Sequence, residues 1–183
     1  MRGSFSVSFS SRRVFACSRS MSAPLAGFML PGMTTQAQRA AQSFTAHRNA
    51  LTALLTEIPE ESAAHIPWEG AMNFISLSDH LDVSAKGILA AIAGLAPSRE
   101  VVPSQSLQEA RTRLQDSGQQ VAQALSGLGD DDLAREIPAF GGRMMSLAQF
   151  AELLIMHEAH HKGQVWLMAR QVGVKPPFFM QMG

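Results

Sequence analysis

The stretch MHEAHHKGQ, residues 156–164, holds three of the six histidines of the chain. It lies within a longer pattern of apolar residues at helical spacing, which predicts one helix over residues 146–172. At about 100° per residue, His157 and His161 fall roughly 40° apart on that helix, one turn above the other. Apolar side chains share this sector, so the pattern predicts two imidazoles on a buried face, where an unpartnered polar ring is costly. We therefore expect the histidines to bind something.

Three further helices are predicted upstream of this one. Apolar residues recur at helical spacing over residues 34–58, 71–95 and 104–128, and prolines or glycines end each of these runs. No segment shows a convincing alternation of apolar and polar residues, and no internal repeat is present. The sequence therefore predicts an all-α protein, an antiparallel four-helix bundle with a long loop, residues 133–145, before the last helix.

The N-terminal segment, residues 1–32, differs from the rest in composition. It is rich in serine and arginine, and the first acidic residue of the chain is Glu57. This composition fits a transit peptide, and it also fits a segment upstream of a true start at Met21 or Met33. We therefore predict a disordered or non-native extension over residues 1–32 and one domain over residues 33–183.

Composition excludes several classes of function. The chain has 183 residues, no formal net charge and a hydrophobic content of 46%, so electrostatics give no case for binding nucleic acid or an anionic membrane. No apolar run approaches the roughly 18 residues that a membrane span needs. The single cysteine, Cys17, cannot form an internal disulfide, and a reducing, cytoplasmic location is expected. The acidic run at residues 130–132 lacks a calcium-binding pattern and is predicted to be a solvated turn.

The histidine pair predicts a metal site in the core of the bundle. Histidines at positions i and i+4 of one helix can ligate the same ion, but a third ligand should come from another helix. His80, which faces inward near the middle of the second helix, is the first candidate, and His47 on the first helix is the second. Three neutral imidazoles with an open position suit zinc, nickel or iron(II) better than magnesium or calcium.

The same letters also match the H-E-x-x-H motif of zinc proteases, in which Glu158 would be the general base. In those families the third ligand lies downstream of the motif, yet no Asp, Glu or His follows His161 in this chain. Glu158 also projects to the flank of the predicted helix, away from His157. The sequence therefore disfavours an ordinary protease.

The pattern H-x-x-x-H-x-G-Q at residues 157–164 resembles the DinB-like family of small four-helix-bundle metalloproteins, related to bacillithiol transferases and mycothiol-dependent enzymes. The single histidine of the second helix and the closing segment at residues 173–179 match as well. The resemblance implies a three-histidine site for a divalent metal, carried over to His80, His157 and His161. It also implies a frequent homodimer and transfer of a low-molecular-weight thiol to an electrophile. For the metal we expect zinc or nickel, with iron or manganese as alternatives.

The expected function is therefore a metal-dependent enzyme that activates a thiol cosubstrate for reaction with a small molecule. Gln164, His160 and His47 are candidates for orienting the bound groups. Two alternatives stay open at this stage. One is a hydrolase that uses a metal-bound hydroxide, and the other is a non-catalytic, metal-binding protein of a stress response.

Overall fold

A computed structural model describes residues 34–98, 100–139 and 142–179. Within these residues four long helices build the bundle that the sequence predicts: α1 (Gln36–Glu57), α2 (Phe74–Ile92), α3 (Leu107–Ser126) and α5 (Leu147–Gln171). A 3₁₀ turn (Glu60–Ser62), a short helix α4 (Asp130–Ala134) and two strands, β1 (Glu136–Pro138) and β2 (Met144–Ser146), lie in the connections. The extension predicted over residues 1–32 lies outside the described residues, and the domain boundary stays a prediction.

The helix starts are set by polar side chains that accept hydrogen bonds from free backbone N–H groups. The Thr35 hydroxyl accepts from the backbone N–H of Gln38 at 3.0 Å, and the Ser146 hydroxyl accepts from that of Gln149 at 3.3 Å. These two side chains therefore cap the N-termini of α1 and α5. Helix α2 begins at Phe74, three residues later than predicted, because Asn73 caps it.

Helix α3 begins after Ser106, whose hydroxyl accepts from the backbone N–H of Glu109 at 3.0 Å. The Glu109 carboxylate accepts from the backbone N–H of Gln105 at 2.8 Å. The two side chains therefore each accept a hydrogen bond from a backbone N–H group at the start of this helix.

The apolar side chains of the four long helices meet in two neighbouring groups. The group near the connection between α1 and α2 is made by Leu51, Leu54, Leu55, Leu77, Leu81, Leu114 and Val165, all buried. The other group, towards the opposite end of the bundle, is made by Phe44, Ala85, Ile88, Val121, Leu125 and Ala151. The second helix, predicted to extend to residue 95, ends at Ile92, and Leu95 is 66% exposed beyond it.

The long connection predicted before the last helix is present, and short elements occupy much of it. Residues 130–132, predicted to be a solvated turn, form the exposed first turn of α4. Acidic side chains are stabilising there, because they interact favourably with the positive end of the helix dipole. Strands β1 and β2 then pair antiparallel, with Ile137 opposite Met145. Since β2 ends at Ser146, the cap of α5, this hairpin fixes where α5 begins.

None of the helices in the described part of the chain is both long enough and apolar enough to cross a membrane.

Candidate metal centre

Three histidines converge between α2 and α5. The Nε2 atom of His157 lies 2.9 Å from Nε2 of His80 and 3.0 Å from Nε2 of His161. One nitrogen from each ring lies within 4.8 Å of the others, and the three residues form a group that could hold a metal ion. Two nitrogens bound to one zinc ion at about 2.0–2.1 Å lie about 2.9–3.4 Å apart when the bond angle is about 90–110°. The two short distances therefore match those of a shared ion.

Hydrogen bonding alone does not account for this arrangement. A ring nitrogen carries either one N–H or one lone pair, and either points in a single direction in the ring plane. The Nε2 atom of His157 nevertheless has two nitrogen neighbours at 2.9 and 3.0 Å. Since one nitrogen cannot make good hydrogen bonds to both, three lone pairs directed at one cation fit the donor set better.

Burial keeps the three rings neutral, which is the state that ligates metal. Desolvation, followed by repulsion from His161 and His80, lowers the pKa of His157 to about 4. Burial also lowers the pKa of His80. Burial lowers the pKa of His161 as well, although the hydrogen bond to Gln164 opposes that shift. Near neutral pH, protons therefore compete weakly for His157 Nε2.

Gln164 and His160, predicted to orient bound groups, both contact His161. Oε1 of Gln164 lies 2.7 Å from Nδ1 of His161. If Nδ1 donates this bond, Nε2 of the same ring keeps its lone pair, so Gln164 selects the tautomer that a metal needs. His160 is exposed on α5, and its ring packs against that of His161 with the centroids 4.9 Å apart.

Glu158, predicted to lie on the flank of the last helix, does not face solvent. Glu158 is fully buried and Lys162 is 5% exposed, because this flank of α5 packs against α1. Leu153, which lies one turn before His157 on the same side of α5, is 36% exposed instead. The buried arc of α5 is therefore rotated from the predicted one, and His157 lies at its half-buried edge.

Glu158 is held by a partner that was not predicted from the sequence. The Arg48 guanidinium of α1 donates to both carboxylate oxygens, at 2.6 and 2.8 Å, and both side chains are at most 3% exposed. Arg48 also donates to the carbonyl of Leu114 at 2.8 Å. The helical spacing of Phe44, Arg48 and Leu51 placed this arginine on the buried face of α1 and could have revealed it. With both oxygens occupied, Glu158 is not poised to act as a general base.

His47, the alternative third ligand, does not join the three-histidine group. Its Nδ1 atom accepts a hydrogen bond from the Lys162 ammonium at 2.9 Å. Lys162 also donates to the backbone carbonyl of Phe179 and lies over the rings of Phe179 and Trp166. The C-terminal segment, as far as residue 179, therefore folds back on the bundle, and Lys162 contacts it there.

Comparison with known proteins agrees with this fold. Residues 43–165 match the DinB superfamily, so the chain belongs to that family. It is 27% identical over 155 residues to the uncharacterised protein YjoA of Bacillus subtilis (strain 168), which spans 80% of this chain and 97% of YjoA. The crystal structure of the DinB-like YjoA aligns with a TM-score of 0.68 at 24% identity, covering 79% of this chain and 99% of that chain. A DinB-like protein from Bacillus cereus ATCC 10987 aligns with a TM-score of 0.63 at 25% identity, covering 75% and 93%. The predicted family resemblance is confirmed.

Proposed function

We propose that this DinB-superfamily protein is a cytoplasmic, metal-dependent enzyme in which His80, His157 and His161 hold one divalent ion, zinc or nickel. The ion would stabilise the thiolate form of a low-molecular-weight thiol at neutral pH and so prepare it for transfer to an electrophile. The observation that carries the proposal is the convergence of three Nε2 atoms, two of them about 3 Å from the third. Three protein ligands leave room for a cosubstrate, as in catalytic rather than structural sites.

The residues around the three histidines support this assignment. Gln164 holds the His161 ring so that Nε2 faces the other two histidines. The only cysteine of the chain is Cys17, so residues 34–183 supply no thiol of their own. The absence of a cysteine from residues 34–183 supports a small-molecule cosubstrate as the source of the thiol. His160 is exposed beside His161, which supports a role for it in contacting that cosubstrate.

Metal content is the first test. Protein purified without a polyhistidine tag should contain about one equivalent of a divalent metal by elemental analysis. His157→Ala should lose it, since two histidines rarely hold an ion, while the matched variant His160→Ala should retain it. Stoichiometric metal in His157→Ala, or equal loss in both variants, would refute the ligand assignment.

Substrate assays separate the transferase from the alternatives. The metal-loaded protein should consume an electrophile only when a low-molecular-weight thiol is present. Turnover of simple esters or amides without thiol would instead favour a hydrolase, and retained metal without either activity would favour a binding protein. The geometry supports hydrolysis less, because the Glu158 carboxylate, which would be the general base, accepts hydrogen bonds from Arg48 on both oxygens.

We also propose that the protein is a homodimer that associates through α5. Leu153, Met156 and Leu167 fall within about 60° of one another on this helix, and they are 36%, 60% and 49% exposed. Burying them against a second copy would remove this apolar strip from water. Light scattering should report a dimer for the native chain and a monomer for Leu167→Glu. Leu95→Glu, at an exposed leucine beyond the end of α2, is the matched control and should stay dimeric.

A further inference from the structure

A small pocket lies where the connection between α1 and α2 meets the C-terminal half of α5. Its volume is about 200 Å³. Apolar side chains make most of its wall, and Gln164 supplies a polar group: the lining includes Pro67, Trp68, Met72, Leu77, Met168 and Gln164. Trp68 is 48% exposed, and Gly70 follows it with a φ of 80°, a left-handed conformation that glycine adopts readily. The pocket is thus a partly open apolar recess with an amide in its wall.

The pocket is lined by residues of α2 and α5 that lie about one helical turn from the three histidines. Leu77 precedes His80 by three residues on α2, and Gln164 follows His161 by three residues on α5. Gln164 belongs to both sites, because it lines the pocket while its Oε1 atom lies 2.7 Å from Nδ1 of His161. A molecule in the pocket and a group held by the histidines would therefore be neighbours.

The lining specifies the kind of molecule that fits. A cavity of about 150 Å³ accepts benzene, so a pocket of about 200 Å³ suits one aromatic ring with a small substituent. The Trp68 indole offers a ring to stack on, and the thioethers of Met72 and Met168 make favourable contacts with aromatic edges. Oε1 of Gln164 is hydrogen-bonded to His161. The NH₂ of the same carboxamide can therefore donate a hydrogen bond to a ligand.

We propose that this pocket binds the electrophile of the reaction as a single aromatic ring that carries a carbonyl group. The ring packs on Trp68 and the two methionines, and the carbonyl oxygen accepts a hydrogen bond from the Gln164 NH₂. This assignment rests on the proposed transferase function, since it takes the histidine site as the place where the thiol is held. It makes Trp68 and Gln164 specificity-determining residues.

Binding can be tested without activity, in metal-free protein, by nuclear magnetic resonance. The probe is acetophenone, and α-methylstyrene serves as a probe of the same shape without the carbonyl oxygen. The chain has two tryptophans, so Trp166→Phe assigns the indole N–H signal of Trp68. Acetophenone should shift that signal saturably and bind about fivefold more tightly than α-methylstyrene, as expected for one added hydrogen bond.

Two variants and a control locate the effect. Ala71→Leu fills the pocket and should abolish the shift with both probes. Ala122→Leu fills a separate groove of about 150 Å³ between α1 and α3 and should leave binding unchanged. Gln164→Leu should reduce the affinity for acetophenone about fivefold, to that of α-methylstyrene.

The outcomes separate this inference from the proposed function. Equal affinity for the two probes in the native chain would overturn the role of Gln164, and an unchanged shift in Ala71→Leu would overturn the pocket. A protein that takes up no metal refutes the proposed function. A protein that takes up one ion per chain but shows no saturable Trp68 shift refutes the pocket assignment alone.

Discussion

Glu158→Ala should destabilise the protein far more than a substitution on the surface of the same helix. The carboxylate is fully buried and receives two hydrogen bonds from Arg48, at 2.6 and 2.8 Å. Removing it leaves the guanidinium charged and 3% exposed, with the Leu114 carbonyl and the Ser117 hydroxyl as its remaining hydrogen-bond partners and the Phe44 ring beside it among the described residues. Breaking one side of such a buried pair costs about 3–5 kcal/mol of unfolding free energy.

The assay is urea unfolding of metal-free protein, followed by circular dichroism at 222 nm. For a chain of this size, a loss of about 3–5 kcal/mol should also lower the melting temperature by about 6–20 °C. Glu152→Ala, at an exposed position on α5, is the matched control and should change stability by less than about 0.5 kcal/mol. The double variant Arg48→Met with Glu158→Leu should recover most of the loss, because it removes both charges together.

A loss below about 1 kcal/mol for Glu158→Ala would contradict the buried ion pair, since exposed pairs contribute at most that much. The isosteric variant Glu158→Gln addresses the chemistry instead. It should retain metal and, where it folds, activity, because Glu158 serves the structure of the bundle. Loss of activity with fold and metal intact would revive the general base of the H-E-x-x-H motif.

Three further predictions test the packing and the histidine site. Gly118→Ala should lower the free energy of unfolding by about 1–3 kcal/mol, because the new Cβ would lie 2.8 Å from Cγ of Arg48. The Cβ of Gly163→Ala meets nothing within 4 Å, so this variant should raise the free energy of unfolding by about 0.5–1 kcal/mol. Urea unfolding measures both changes. Gln164→Ala should weaken metal binding about 10–100-fold without removing the site, as measured by competition with a chelator. The pKa of His157 is lowered to about 4 from 6.5, so its neutral form stabilises the metal-free protein fully above pH 6.5. That stability should be lost as the pH falls from 6.5 towards 4, and His157→Gln should flatten this part of the profile.

The long helices and most of their caps could be predicted because their signals are local. Thr35 and Ser146 each cap a helix through a backbone N–H three residues away, and apolar spacing marks the faces that pack. The hairpin of β1 and β2 could not be predicted in the same way. Each strand has three residues, too few to show an alternating pattern, and it is the pairing of the two that stabilises them.

The candidate site was predicted in its members but not in its surroundings. The spacing of His157 and His161 in the sequence predicts that they share a helix face. His80 was predicted as the third member because the apolar pattern of the second helix places it on the inward face. The burial of Glu158 did not follow, because a helical wheel does not reveal how many neighbours a helix has. Its partner Arg48 lies 110 residues earlier in the chain, so only the folded bundle brings the two together.

The three histidines of the candidate metal centre lie on two helices, α2 and α5, and this has a consequence for folding. His80 and His157 lie 77 positions apart along the chain. An ion held by both would act as a removable cross-link that closes the chain around α3, α4 and the hairpin. A covalent link closing a loop of that length stabilises by about 4–5 kcal/mol, through the lost entropy of the unfolded chain. The metal supply would thus set the lifetime of the native protein, and depletion would expose the chain to proteolysis as well as stop turnover.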